Sequence, residues 1–454
     1  MTLECIGIRE GKMRTTASYG SWRSPISSDV TVVDSVGFSG IVTDGNDVYW
    51  IETRPFDQGR NVVVKRSASG NVNDVTYAPY DVRSRVHEYG GGALAAHRGT
   101  LFFSNFEDQR LYRQRMSDVP EVLTPYEDMR YADGVVRGQN QTLICVREDH
   151  TSSWREPISS LVSIDLVRRS TRVLVSGNNF YSNPRISPDG QTLAWIAWNH
   201  PNMPWDGTEL WLGRILPNGL IGESRMAAGG REESIYQPEW SPDGSLYFIS
   251  DRNGWWNIYR LTDAGYECVH EKKSEFGLPQ WTFGSGTYGF VSESQIFCAY
   301  NEEGQWLFGN LDVETGQLRE YDLPFTDIGR LGMKVSGENI ILTGGSPDMP
   351  VSIVSHNISS GITDILRSST EYSVGEGYLS RPINLSFPSE GGSDAHGFYY
   401  PPSNKDFRPP SDEKPPLMVI SHGGPTGATG TTLNLTIQFW TSRGFAVLDV
   451  NYRG

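Results

Sequence analysis

What most constrains the fold is a unit that recurs along the chain, a tight turn followed at once by a β-rich run. Ser187-Pro188-Asp189-Gly190 leads into Thr192-Leu193-Ala194-Trp195-Ile196-Ala197-Trp198, and Ser241-Pro242-Asp243-Gly244 leads into Leu246-Tyr247-Phe248-Ile249-Ser250. Proline presets φ at the second turn position and glycine accepts the positive φ that follows, so each stretch reads as a hairpin within a small sheet. Fainter copies share the pattern. Asp44-Gly45 precedes Val48-Tyr49-Trp50-Ile51, Arg98-Gly99 precedes Leu101-Phe102-Phe103, and Gly138 precedes Leu143-Ile144-Cys145-Val146. Ile296-Phe297-Cys298-Ala299-Tyr300 follows, then Ser336-Gly337 before Asn339-Ile340-Ile341-Leu342. The markers Val48, Leu101, Leu143, Leu193, Leu246, Ile296 and Ile340 stand 42 to 53 residues apart. That is the spacing of four-stranded propeller blades, and it predicts a seven-bladed β-propeller in which each blade buries its faces on its neighbours. With 49 glycines, 26 prolines, 13 tryptophans and 21 tyrosines, the chain suits short strands and tight turns, and a mainly β fold is expected.

After about Glu371 the pattern changes. Pro382 to Phe387 and Ala395 to Tyr400 read as two strands joined by the Gly391-Gly392 loop, and the Pro401-Pro402 and Pro409-Pro410 pairs mark a surface connection. Leu417 to Ile420 is apolar without alternation, as a strand buried on both faces should be. Thr432 to Arg443 carries Leu433, Ile437 and Trp440 at helical spacing ahead of Gly444, and Phe445 to Val450 is a further buried strand. Strand, glycine turn, helix, strand is the opening of a doubly wound α/β sheet. A chain of 454 residues is long for one core, which suits two domains. The expected organisation is an N-terminal extension over 1–30 that packs on the later part, a propeller over 31–370, and the first portion of an α/β domain over 371–454.

Charge narrows the partners. With 39 Lys+Arg against 54 Asp+Glu the formal charge is −15, which argues against a nucleic-acid partner, because phosphate binding requires a basic surface. Met1 to Thr16 carries Glu4, Arg9, Glu10, Lys12 and Arg14 and lacks the apolar stretch of a secretory signal, and no segment is apolar for long enough to span a bilayer. A cytoplasmic protein without a membrane partner is expected. Cys5, Cys145, Cys268 and Cys298 are scattered and favour reduced thiols over a disulfide or a zinc site. No metal and no cofactor is expected, and self-association stays open.

The chemistry is concentrated at His422-Gly423-Gly424-Pro425, which follows the apolar Leu417-Met418-Val419-Ile420 run. Adjacent glycines let a backbone approach a substrate and offer N–H groups to it, the donor arrangement that holds the oxyanion of an acyl-transfer intermediate. A tight strand-to-helix turn without a ligand is the structural alternative. The Gly-x-Ser-x-Gly elbow that would carry a nucleophile occurs nowhere in the 454 residues. Early in the chain, Arg85, His87 and Glu88 precede Gly90-Gly91-Gly92, and the crowded turn implied there favours a buried polar network over substrate ligands. The loop from Asn199 to Asp206, with two prolines and Trp205, either reaches a central cavity or closes a blade.

Several of these stretches, in this order, carry a resemblance. Arg85-Val86-His87-Glu88-Tyr89-Gly90-Gly91-Gly92, Trp198-Asn199-His200-Pro201-Asn202-Met203-Pro204-Trp205-Asp206, the two Ser-Pro-Asp-Gly turns, His422-Gly423-Gly424-Pro425 and Asp449-Val450-Asn451-Tyr452-Arg453-Gly454 together resemble the prolyl oligopeptidase family of serine peptidases. Within it they resemble the acylaminoacyl-peptidase-like or dipeptidyl-peptidase-like branch. The resemblance implies a propeller capping an α/β-hydrolase domain and limiting access to short or acylated peptides. It implies an oxyanion donor at Gly424 N–H, with Gly423 shaping the turn and His422 and Pro425 lining the site. It places the catalytic serine, aspartate and histidine downstream of Asn451-Tyr452-Arg453-Gly454, so this chain is expected to be an N-terminal fragment, inactive alone. A non-catalytic propeller that binds a partner and an esterase are the alternatives.

Overall fold

The computed structural model describes residues 14–31, 35–115, 118–138, 141–152 and 156–452; Cys5, Arg453 and Gly454 lie outside the described residues. The chain divides into two compact units. One takes in the described residues of Asp34–Gly344 and Val351–Thr370, the other those of Met1–Val33, Gly345–Pro350 and Glu371–Gly454.

Among the described residues, the stretch from Gly37 to Ser368 forms seven successive four-stranded sheets whose strands follow chain order. The strands described within them pair antiparallel, an architecture that is mainly β and consistent with a propeller. The seven apolar markers fall one on each second strand, from Val48 in Asp47–Arg54 to Ile340 in Asn339–Ser346, and all are buried. The Pro-Asp-Gly turns join the first two strands of the fourth and fifth sheets. Gly190 and Gly244 take φ of 72° and 90°, and Asp189 Oδ1 accepts from Ser187 Oγ at 2.6 Å and from Gln191 N at 3.0 Å. Side chains buried between successive sheets form the core: Trp195, Tyr181, Ile144 and Leu161 between the third and fourth, Phe248, Ile196 and Leu210 between the fourth and fifth.

The first and seventh sheets pack together, with Ile41, Val48, Trp50 and Val64 against Ile341 and Ile353. Glu52, 2 % exposed, lies 3.1 Å from Arg367 Nε and accepts from Trp50 Nε1 at 3.0 Å, so a buried charge spans the same contact. The first strands of the third, fourth and fifth sheets each bulge at one place, leaving Asp133, Asn183 and Gln237 at positive φ. Two of these reach the next sheet: Asp133 Oδ2 accepts from Asn183 N at 2.6 Å, and Gln237 Oε1 from Thr287 N at 2.7 Å.

The second unit holds a mixed sheet in the order Ile383–Pro388, Asp394–Tyr400, Ala446–Asn451, Leu417–Ser421. The last two pair in parallel, with Leu417 opposite Ala446, and the others are antiparallel. The helix between the parallel strands runs Leu435–Thr441, shorter than the predicted 432–443. The Asn434 side chain caps it by accepting from Thr436 N and Ile437 N, which leaves Thr432 and Leu433 ahead of the cap. Leu417–Ser421 departs from the expected strand buried on both faces. Met418 and Ile420 pack toward Phe398, Tyr400, Ile437 and Val447, whereas Leu417 and Val419 are 54 % and 61 % exposed, because this strand is the sheet's edge and one face is uncovered. Thr15–Thr16 pairs in parallel with Phe407–Arg408, and Asn404 Nδ2 donates to Arg23 O and Ser442 O, which ties the described N-terminal residues to this unit. No helix among the described residues is long and apolar enough to cross a membrane.

Candidate functional site

The glycine turn leaves the edge strand at Ser421 and lies on the surface, with Gly423, Gly424 and Pro425 exposed. Neither glycine has positive φ; it is Thr426, at 55°, that takes the left-handed conformation. A Cβ on Gly424 would stand 2.9 Å from the Tyr452 hydroxyl, so a side chain there would displace the end of that exposed ring. Among the described residues the Gly424 N–H donates to no protein group, which leaves it available to a bound molecule. His422 lies beside the turn, its ring stacked on Tyr452 with centroids 4.2 Å apart and planes 5° from parallel. Its Nδ1 is 2.7 Å from Gly423 O and its Nε2 is 3.3 Å from Tyr452 O. Behind them Asp449 is buried, its carboxyl pushed up by desolvation; the Thr429 hydroxyl donates to it, and the nearby His422 partly opposes the shift.

The second group of expected site residues lies in the other unit. Of Arg85, His87 and Glu88, only His87 turns inward, so the expected buried polar network is not what forms. Arg85 is exposed and stacks its guanidinium 4.4 Å from the Phe106 ring centre. Glu88 is exposed and accepts from Arg130 Nη1 at 2.6 Å. Val82, Ser84 and Val86 take the buried positions of the extended segment and send Arg83 and Arg85 outward; the turn that follows, with His87 and Glu88 at φ of 55° and 62°, breaks that alternation and leaves Glu88 exposed. The His87 ring sits among Phe180, Trp198 and Phe283 at centroid distances of 5.2, 5.3 and 4.7 Å, and burial lowers its pKa to about 3, so it stays neutral. It borders a cavity of about 20 Å³, room for one water, shared with Ser182, Tyr236 and Ser285. His87 Nε2 and Ser182 Oγ are buried there without a hydrogen-bond partner among the described residues. The glycine turn beside it is as crowded as expected: Phe283 N donates to Gly90 O at 3.1 Å, and a Cβ on Gly91 would stand 2.6 Å from Phe283 O. Trp205 of the Asn199–Asp206 loop packs on Trp281, centroids 4.5 Å apart.

Sequence reading had no means of finding Phe283, Ser182 or Thr429, because their neighbours come from remote stretches and no spacing links them. Among the described residues no group of three or more His, Cys, Asp or Glu side chains is placed to hold a metal. Cys145 and Cys298 are buried free thiols and Cys268 is a half-buried one.

No family model matches the chain, and no curated protein does. Solved structures do. The chain is similar to puromycin hydrolase, with 34 % identity over 96 % of this chain and 69 % of that one and a TM-score of 0.89. It is similar also to a puromycin-hydrolyzing peptidase of Mycobacterium tuberculosis, at 36 % identity over 97 % of this chain and 70 % of that one, again with a TM-score of 0.89. The chain belongs to the prolyl oligopeptidase family of serine peptidases. A more distant member, Pyrococcus horikoshii acylaminoacyl peptidase, shares the fold at 15 % identity over 92 % of this chain and 65 % of that one, with a TM-score of 0.61.

Proposed function

We propose that this chain supplies the access-limiting propeller and the oxyanion turn of a serine exopeptidase or oligopeptidase that hydrolyses short or acylated peptides. The observation that carries the reading is the identity of 34 to 36 %, spread over nearly the whole chain, with two puromycin-cleaving enzymes. A puromycin hydrolase mutant crystallised in complex with PGG adds support for a peptide-sized ligand. In this reading residues 31–370 make seven blades, 371–454 open an α/β-hydrolase domain with 1–30 packed on it, and the protein is cytoplasmic. In this reading the catalytic serine, aspartate and histidine lie downstream of residues 1–454. A serine would attack the peptide carbonyl, a histidine would take and return the proton, and the oxyanion would rest on Gly424 N–H and the amide after the serine. Gly423 keeps the turn slim, and His422 and Pro425 border the site. The N–H of Gly424, exposed and without a protein acceptor among the described residues, suits that role.

The test uses aminoacyl and acyl-aminoacyl chromogenic amides with the full-length protein and with residues 1–454 alone. Turnover by the full-length protein, abolished by a serine-directed phosphonate, is expected, and none by residues 1–454. Phosphonate-sensitive turnover by residues 1–454 would place a nucleophile within them and refute the reading. A full-length protein inert toward amides would favour a binding protein, and one that cleaves only esters an esterase.

A further inference from the structure

His422 joins two stretches that meet only in the folded sheet, the glycine turn and the end of the strand Ala446–Asn451. Its Nδ1 faces Gly423 O at 2.7 Å and its Nε2 faces Tyr452 O at 3.3 Å, while the ring lies flat on Tyr452. Carbonyl oxygens only accept, so Nδ1 must carry a proton to bond Gly423, and Nε2 must also carry one to bond Tyr452. The neutral ring meets one carbonyl and turns a lone pair to the other; the protonated ring meets both. Asp449, on the strand leading to Tyr452, lies near His422 and accepts from the Thr429 hydroxyl.

The Gly423 carbonyl shares its peptide plane with the Gly424 N–H. In a trans peptide the two point in opposite directions, so fixing one fixes the other. The Gly423–Gly424 bond is not among the cis bonds of the chain. We infer that His422 is a positioning residue: by donating from Nδ1 to Gly423 O, and by stacking on Tyr452, it aims the Gly424 N–H at the site of the oxyanion. It acts through the Gly423–Gly424 peptide without touching substrate. The inference rests on the oxyanion role proposed above for Gly424. The hydroxyl end of the ring under His422 is also the atom that a Cβ on residue 424 would meet.

The experiment compares four variants of the full-length protein with wild type. His422→Leu removes both donors. Asn places its amide N–H close to the Nδ1 position, whereas Gln places it nearer Nε2, so His422→Asn should keep most activity and His422→Gln should lose more. Losing an oxyanion donor outright costs about 10² to 10³ in kcat, and misaiming one should cost less, about 10- to 100-fold for His422→Leu, with KM within about threefold because the contact matters in the transition state. Binding of a peptide aldehyde, whose adduct carries an oxyanion, should weaken in step. Gly424→Pro, which removes the donor, separates the two claims. If Gly424→Pro is inactive while His422→Leu keeps wild-type kcat, or if Gln restores activity as well as Asn, the positioning role is overturned. If Gly424→Pro itself keeps wild-type kcat, the oxyanion reading falls and takes this inference with it. The Asn and Gln comparison holds even if His422→Leu folds poorly.

Discussion

Gly91→Ala should destabilise the sheet array far more than an equivalent change at an open turn, and the size follows from the geometry. Gly91 has φ of 85°, a conformation that costs a residue with a Cβ about 1–2 kcal/mol. The new Cβ would also stand 2.6 Å from Phe283 O and 2.7 Å from Phe283 N, backbone atoms that no rotamer change can move aside. The 281–284 segment must therefore retreat. Doing so gives up the Phe283 N to Gly90 O hydrogen bond, about 0.5–1.5 kcal/mol, and draws Phe283 from its place against His87 and Val86. Together these come to about 3–4 kcal/mol. Gly219 is the control, because its φ of 82° is nearly the same yet nothing lies within 4 Å of a Cβ there. Gly219→Ala should cost only the conformational part, about 1–2 kcal/mol. For a domain of this size the gap corresponds to a melting point lower by about 2–4 °C in Gly91→Ala, measured by calorimetry, with weakened near-ultraviolet dichroism from the tryptophans around His87. Two variants that melt within about 1 °C of each other would refute the reasoning, showing that the Gly91–Phe283 contact yields without cost.

Two further outcomes are expected. Burial raises the Asp449 carboxyl pKa, so the folded chain holds that proton more tightly than the unfolded one; the stability linked to it is complete below the ordinary carboxylate range and is lost as pH rises through the raised value. Asp449→Asn, still able to bond Thr429, should therefore raise the melting point at neutral pH by an amount that shrinks on acidification, and an advantage that grows on acidification would contradict this. Val419→Lys places a charge on the exposed edge strand and should reduce self-association in light scattering while changing stability by no more than about 0.5 kcal/mol; unchanged association would show that the edge is not the sticky surface.

The strands were legible because each is announced locally. Pro-Asp-Gly at 188–190 and 242–244 dictates a turn by φ alone, and the runs after it are too β-rich for anything else. The glycine turn at 423–424 was legible for a related reason, that paired glycines after an apolar strand leave few alternatives. What Gly424 faces was not: its φ is not positive, and the atom a side chain there would meet is the Tyr452 hydroxyl, 28 residues further along the chain. Leu417–Ser421 was misjudged in burial because an apolar run reports what a strand would bury, whereas edge position is a property of the whole sheet. Arg85 was misjudged because whether a charged residue faces inward depends on which neighbours in an extended segment claim the buried side, and Glu88 because it lies in a turn at φ of 62° where strand alternation no longer holds.

By itself the sequence determined everything that depends on short range: turn positions, strand spacing, the glycine pair, and an acidic balance unsuited to nucleic acid. Tertiary structure decided what depends on closure and on distant partners. The first sheet meets the seventh through Trp50, Ile341 and Ile353, His87 enters a cage that includes Phe283, and His422 lies on Tyr452. Such contacts join residues far apart along the chain, and their energy comes from apolar area and hydrogen bonds that exist only once the intervening sheets have formed.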